Sequence, residues 1–495
     1  LRRLPSRGRA AASAVGLCLL LGLAGAAGLG GCALLGGDGL FGPRYAWEEP
    51  PPPPKIAPVV PAGALTRTPL ANDLEVLVLE DHRLPMVTLS VSVRRGSAIE
   101  EPARAGLAVY TSELMERGAG ERDALALARA VDDLGASLDV AADWDSMTVT
   151  VSGLSRDLER LLEVLSDVVL RPRFDAGEGA RARTEQLASL ERAKDAPQTL
   201  LQWQVLKTLY PDHRYGLPQQ GAPESVAGFD AGAARDFHRR IFLPNDAVLS
   251  AAGDVAAADL LERARGLFGP AVWQRGQVPD VGPPPPDRVP PQRRVVVVDR
   301  PDMVQSRIAF AHEGIRRNNP ERIAANLMND VLGGSGFSSR LLQRVRSEAG
   351  LTYSLGSGFS LRRHAGPFEV VTFTRVPETR RVIDLVLEEL ERMRREPPTA
   401  AELANAQSLA VGSFGLSLET SRAVMASLVE LDVHGLPDDS LDTYRARVRA
   451  VTTRDTARVA KELLHPQRAA IVVVGPAKDL RPQLEGLGEL EVVEP

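Results

Sequence analysis

Cysteine is nearly missing from this chain: its 495 residues contain only Cys18 and Cys32. A framework of several disulfides is therefore excluded, and stability must come from packed cores. Aromatic residues are scarce at 4%, and the 59 basic and 64 acidic residues are interspersed. No basic stripe tracks a phosphate backbone, so nucleic acid is not an expected partner. Histidine is thin as well. The seven histidines are His82, His213, His238, His312, His364, His434 and His465, and no two share a helical turn. With no thiolate cluster to replace them, an ordinary tetrahedral zinc site cannot be assembled, so no cofactor is expected in this chain.

The composition is otherwise that of a globular protein, 44% hydrophobic and 25% charged, and its length calls for at least two domains. Residues 1–31 carry Arg2, Arg3, Arg7 and Arg9 before an apolar run from Ala10 to Leu29, the plan of an export signal. The run ends in Leu29-Gly30-Gly31-Cys32, which resembles the bacterial lipobox. That resemblance implies lipidation of Cys32 and a protein tethered in the cell envelope, facing the periplasm. Ala33 after the cysteine resembles the outer-membrane sorting pattern. Cleavage before Cys32 would remove four arginines and no acid, lowering the formal charge of −5 by four, and would remove Cys18. Residues 32–64, with Pro50 to Pro54 consecutive, read as an extended tether.

A second proline-rich stretch, within 276–293, divides the body into lobes at 65–275 and 294–480, with 481–495 as a tail. The two lobes repeat one order of elements. The first opens with alternating strands at 75–80 and 86–93, then helices at 105–116 and 124–134, strands at 137–140 and 146–151, and an amphipathic helix at 158–170. The second runs through strands at 295–298 and 306–310, helices at 320–332 and 338–346, strands at 352–355 and 368–373, and a helix at 379–395. Closing strands follow at 247–252 and 470–474. Hairpin-joined strands with helices collected on one side give an α+β fold of two homologous lobes, each a mostly antiparallel sheet, facing one another as a clamp.

Four segments carry a family resemblance: Arg94-Arg-Gly-Ser-Ala98, Gly106-Leu-Ala108, Leu332-Gly-Gly-Ser-Gly-Phe-Ser-Ser-Arg-Leu341 and Arg344-Val-Arg-Ser-Glu-Ala-Gly-Leu-Thr-Tyr353. Together they make the body, from about Leu65 to Pro476, similar to the insulinase/pitrilysin zinc peptidases, and within them to processing-peptidase-like subunits. In active members the helix after Gly-Leu-Ala carries His-x-x-Glu-His, two zinc-binding histidines on one helical face with a glutamate between them. Here Val109 and Glu113 stand at the histidine positions and Ser112 at the glutamate. Aligning Asp195-Ala-Pro197 with the family's Asp-Asn-Pro puts its third ligand at Ala188 or Ser189, with Glu185 and Glu191 out of register.

The second lobe departs less from the pattern. Arg346 and Tyr353, seven apart, match the arginine and tyrosine that in family members hold substrate and stabilise its developing oxyanion. Without that role, Arg346 would pair with Glu348 and Tyr353 would be a half-buried strand residue. Gly333, Gly334 and Gly336 match a glycine-rich segment that helps admit substrate in non-catalytic processing-peptidase subunits; equally, they read as a turn between helices. The resemblance thus implies a non-catalytic subunit that supplies Arg346 and Tyr353 to a zinc-bearing homologue, zinc residing in that partner, with a peptide or unfolded polypeptide as substrate. The other reading is a membrane-tethered peptide-binding or scaffold lipoprotein with no part in hydrolysis.

Overall fold

The computed structural model describes residues 58–494 apart from 62, 283 and 286–291; the signal segment and Cys32 lie outside the described residues. In chain order the strands are β1 (Leu65–Pro69), β2 (Glu75–Glu80), β3 (Met86–Val93), β4 (Gly118–Ala119), β5 (Arg122–Asp123), β6 (Ser137–Ala142), β7 (Met147–Leu154) and β8 (Ala247–Gly253), followed by β9 (Arg294–Asp299), β10 (Gln305–Glu313), β11 (Leu355–Leu361), β12 (Ala365–Arg375), β13 (Ala470–Gly475) and β14 (Glu489–Val493). Apart from the short β4–β5 ribbon they form two six-stranded sheets, ordered β1-β2-β8-β3-β7-β6 and β11-β12-β10-β13-β9-β14.

The duplication extends to pairing sense. β2–β8 and β9–β13 are parallel, whereas β8–β3–β7–β6 and β13–β10–β12–β11 are antiparallel throughout. Only the outermost strands differ. β1 precedes β2 and pairs antiparallel, while β14 reaches its edge from the far end of the chain and pairs parallel with β9. The stretch 481–495, expected as a tail, therefore contributes a strand to the second sheet.

Burial explains why some strands read as continuous apolar runs and others alternate. On β2, Val76 and Val78 enter the core beneath the first lobe's own helices, while Leu77 and Leu79 pack on the opposite face against Val424, Met425 and Leu428 of helix Ser421–Val433, from the second lobe. The second sheet mirrors this. Val296 and Val298 of β9 and Val472 and Val474 of β13 pack against Leu200, Leu201 and Val205 of a helix lent by the first lobe. Each lobe's own helices cover one face, as expected, and a helix exchanged from the other lobe covers part of the second. A strand buried on both faces needs no polar alternate, which accounts for Val295-Val-Val-Val298. β3 and β7 alternate because only one face is packed: Val87, Leu89, Val91, Val149 and Val151 enter the core, whereas Thr88, Ser90, Ser92, Thr148 and Thr150 line a cavity.

Two second-lobe expectations shift. Residues 352–354 form a turn in which Thr352 Oγ1 donates to the Ser354 carbonyl, and β11 begins only at Leu355; Gly356 and Gly358 disguised it as a loop. The helix expected over 320–332 is α-helical at Arg322–Asn329 and then widens into a π-helical turn, Asp330–Gly334.

Candidate functional site

The helix that would hold a zinc motif, α1 (Leu107–Met115), is fixed by its amino end. The carboxylate of Glu100 accepts from the backbone N–H of Gly106 at 3.0 Å and of Ala108 at 2.5 Å, and is itself paired with Arg214 at 2.7 Å. A carboxylate there satisfies orphan donors and complements the helix dipole. Gly106 takes φ +96°, and a Cβ on it would lie 2.5 Å from the Gln220 carbonyl, so the entry to α1 requires glycine. The long helix Ala176–Ala193 lies alongside: Tyr110 donates to the Gly179 carbonyl at 2.9 Å, and Gln186 donates to the Gly106 carbonyl at 3.1 Å.

Within this frame the three degenerate positions are chemically settled among themselves. Val109 is half-buried and has no donor atom. Ser112 is buried, and its hydroxyl is spent on the Val109 carbonyl at 2.8 Å. Glu113 is exposed and pairs at 3.3 Å with Arg117, which also binds Glu185 at 2.6 Å and stands 3.9 Å from Glu178. A guanidinium therefore occupies the point where the carboxylates of the two helices converge, and it holds the Glu185 carboxyl below its usual range. Ala188 is half-buried, Ser189 is exposed, and Glu191 pairs with Lys194 at 3.1 Å. Among the described residues no group of three or more histidine, cysteine or acidic side chains is placed to hold a metal. The residues present do not fit zinc.

Arg346 lies in a second π-helical segment, Gln343–Glu348. Its guanidinium carbon lies 4.6 Å from the ring centroid of Phe337 and 4.7 Å from that of Tyr353. Both rings are open to solvent, at 67% and 73% exposure. Tyr353 is thus not half-buried, and Arg346 forms no ion pair with Glu348. Sequence reasoning missed Phe337, although it stands inside the glycine-rich motif that carries the resemblance. The segment is anchored by Arg340, buried and bidentate to Glu402 at 2.7 and 2.8 Å, which holds the Glu402 carboxyl down to about 2.

The glycines divide by role. A Cβ on Gly333 would meet Ser357 Oγ at 2.4 Å, and one on Gly334 would meet Asn329 Nδ2 at 2.6 Å, so both are packed. Gly336 faces open space and takes φ +68°. No hydrogen bond, ion pair or ring contact among the described residues joins the Arg346 cluster to Val109, Ser112 or Glu113.

Residues 75–222 match the family model for Insulinase (Peptidase family M16), and residues 228–409 match that for the Peptidase M16 inactive domain. The chain is 28% identical over 425 residues to an uncharacterized zinc protease of Mycobacterium tuberculosis, covering 86% of this chain and 96% of the relative. It is 26% identical over 422 residues to one of Streptomyces coelicolor, covering 84% and 91%. Among solved structures it is similar to a peptidase M16 inactive domain from Pseudomonas fluorescens, with a TM-score of 0.77 and 26% identity over 83% of this chain and 98% of that one. A protease from Helicobacter pylori shares the fold, with a TM-score of 0.75 at 18% identity over 83% of this chain and 99% of its own.

Proposed function

Because this chain belongs to the insulinase family of peptidases and keeps neither histidine of that family's zinc motif, we propose that it is the non-catalytic subunit of a heterodimeric endopeptidase whose other subunit bears the zinc. Its contribution is to grip the peptide and to stabilise charge on it. The observation that carries this reading is the contact of the Arg346 guanidinium with both Phe337 and Tyr353. Contact with two rings restrains the guanidinium without using its N–H donors, which stay available for an acceptor. At exposed sites such contact is worth about 0.5–1 kcal/mol per ring, enough to bias the orientation of a long side chain. Tyr353, exposed beside it, adds a phenolic donor. Two preset donors on one patch suit the carbonyl oxygen of a scissile peptide as it gains negative charge.

The reading also places the chain on a membrane through lipidated Cys32, in the periplasm and at the outer membrane, with residues 32–64 as the spacer. Among the described residues no helix is long and apolar enough to cross a membrane.

The test is reconstitution. The chain purified with its lipid anchor from its native membrane should bring with it a homologue containing His-x-x-Glu-His, and the pair should cleave peptides that neither subunit cleaves alone. Arg346→Ala and Tyr353→Phe should each lower kcat/KM of the pair by about a hundredfold while leaving association intact. Purification without such a homologue, or unchanged rates in both variants, would favour the peptide-binding or scaffold role instead.

A further inference from the structure

A cavity of about 470 Å³ lies between the first sheet and helix Ser421–Val433, a volume typical of small-ligand sites. Its floor is the unpacked face of β3 and β7, where hydroxyls pair across strands: Ser90 with Ser250 at 2.7 Å and Ser92 with Thr148 at 2.9 Å. Each hydroxyl can still accept or donate once more. The roof, from the same helix, is mixed: Met425, Ala426 and Val429 are apolar, whereas Arg422 and Glu430 carry charge.

Two buried charges border this space, and each keeps one atom without a hydrogen-bond partner. Arg362 is 8% exposed; its guanidinium carbon lies 4.1 Å from the Trp144 ring centroid and 4.5 Å from that of Tyr215. The guanidinium donates no hydrogen bond among the described residues, and Nη1 is fully buried without a partner. Asp145 is 7% exposed. Its Oδ2 accepts from the backbone N–H of Arg363 at 2.8 Å, whereas Oδ1 has no hydrogen bond and only a long ion pair with Arg363 Nε at 3.8 Å. Arg362 and Asp145 do not form an ion pair with each other. On the same cavity wall, His434 Nδ1 is also buried without a partner. A buried charge short of hydrogen bonds is costly, and groups of opposite sign on one cavity describe the complement of a ligand.

That ligand needs a planar anion for Arg362 and an N–H donor for Asp145. Its remaining groups must suit a floor of hydroxyls, which serve amides and carbonyls alike, and the apolar part of the roof, which suits small side chains. We propose that this cavity binds the carboxyl-terminal end of a short peptide, the terminal carboxylate on Arg362 and a backbone N–H at the Asp145 wall. The site is separate from the Arg346 patch, and the proposal does not depend on a zinc-bearing partner.

Calorimetric titration of the full chain with trialanine, with trialanine amide and with inorganic phosphate tests it. Trialanine should bind saturably, and the amide about tenfold or more weaker, since it lacks the charge that Arg362 meets. Phosphate should neither bind nor compete. Arg362→Gln should erase the preference for acid over amide, and Asp145→Asn should weaken both peptides. Equal binding of acid and amide, no binding of trialanine, or phosphate binding as tightly as the peptide would each overturn the proposal. Should a variant fail to fold, the comparison of acid with amide on the unaltered chain still decides.

Discussion

Glu100 and Arg214, 114 residues apart in sequence, form a 2.7 Å ion pair with side-chain exposures of 0% and 2%. The pair is fully wired. Glu100 also caps α1, while Arg214 donates to the carbonyls of Leu217, Pro218 and Gln219 and stacks on Trp144 at 5.0 Å. The pair ties the entry of α1 to the loop that follows the helix lent to the second lobe. It gives α1 a fixed position that owes nothing to a metal.

Removing one partner strands the other in the core. Glu100→Gln or Arg214→Met should cost about 3–5 kcal/mol, read as a lower midpoint in guanidinium denaturation. Loss of under 1 kcal/mol in both would mean that the carbonyls and helix N–H groups meet the remaining charge unaided.

Zinc should not bind tightly to the isolated chain. After equilibration with zinc and exhaustive dialysis, metal analysis should find well under one equivalent, because Val109, Ser112 and the Arg117-bound carboxylates leave no ligand set. A stoichiometric, chelator-resistant ion would refute this account of α1.

Acid should destabilise the protein before most carboxylates titrate. Burial holds His238 and His312 down to about 4. His312 is bonded on both sides as a neutral ring: Nδ1 donates to the Glu313 carbonyl at 2.7 Å and Nε2 accepts from the His465 N–H at 3.3 Å. A histidine depressed from its ordinary 6.5 contributes stability that is complete above pH 6.5 and lost as pH falls toward 4. The two together should cost roughly 4 kcal/mol between pH 7 and pH 5, measured by denaturation at both values.

Asp330 should act with the opposite slope. Burial raises its carboxyl to about 6, so the folded state favours the protonated form, and stability falls as pH rises from about 4 to 6. Asp330→Asn should therefore stabilise at pH 7.5, by up to roughly 3 kcal/mol, and by only about 1 kcal/mol at pH 4.5. Equal shifts at both values would show that the gain has another source.

How legible all this was in the sequence depended on range. The pattern of β3 and β7 is local, and it marked both as strands. The alternation read at 75–80 and the apolar runs of β9 and β13 marked strands, but the helices that cover their second faces come from the other lobe, so the exchange could not be read. β11 was displaced because its glycines mimic a turn. At the candidate site, Val109, Ser112 and Glu113 were visible as substitutions in a motif. Arg117, four residues beyond Glu113, was visible only as an ordinary helical neighbour; its bond to Glu185 spans 68 residues. Arg362 and Trp144, 218 residues apart, meet only because the lobes close on each other.

The glycine-rich turn allows a final separation of packing from substrate contact. Ser357, which a side chain at 333 would strike, donates to Asn329 Oδ1 at 2.6 Å, and Asn329 returns a bond to the Ser357 carbonyl at 3.0 Å, so the residue cannot simply move aside. Gly333→Ala should thus destabilise the chain by about 1–3 kcal/mol through overpacking. Gly336→Ala meets no atom and pays only for its positive φ, about 1 kcal/mol. If the turn also guides substrate, Gly336→Ala should slow the reconstituted pair by more than its small stability change explains, because stiffening this residue redirects Phe337 beside Arg346. Wild-type turnover in a folded Gly336→Ala subunit would confine the three glycines to structure.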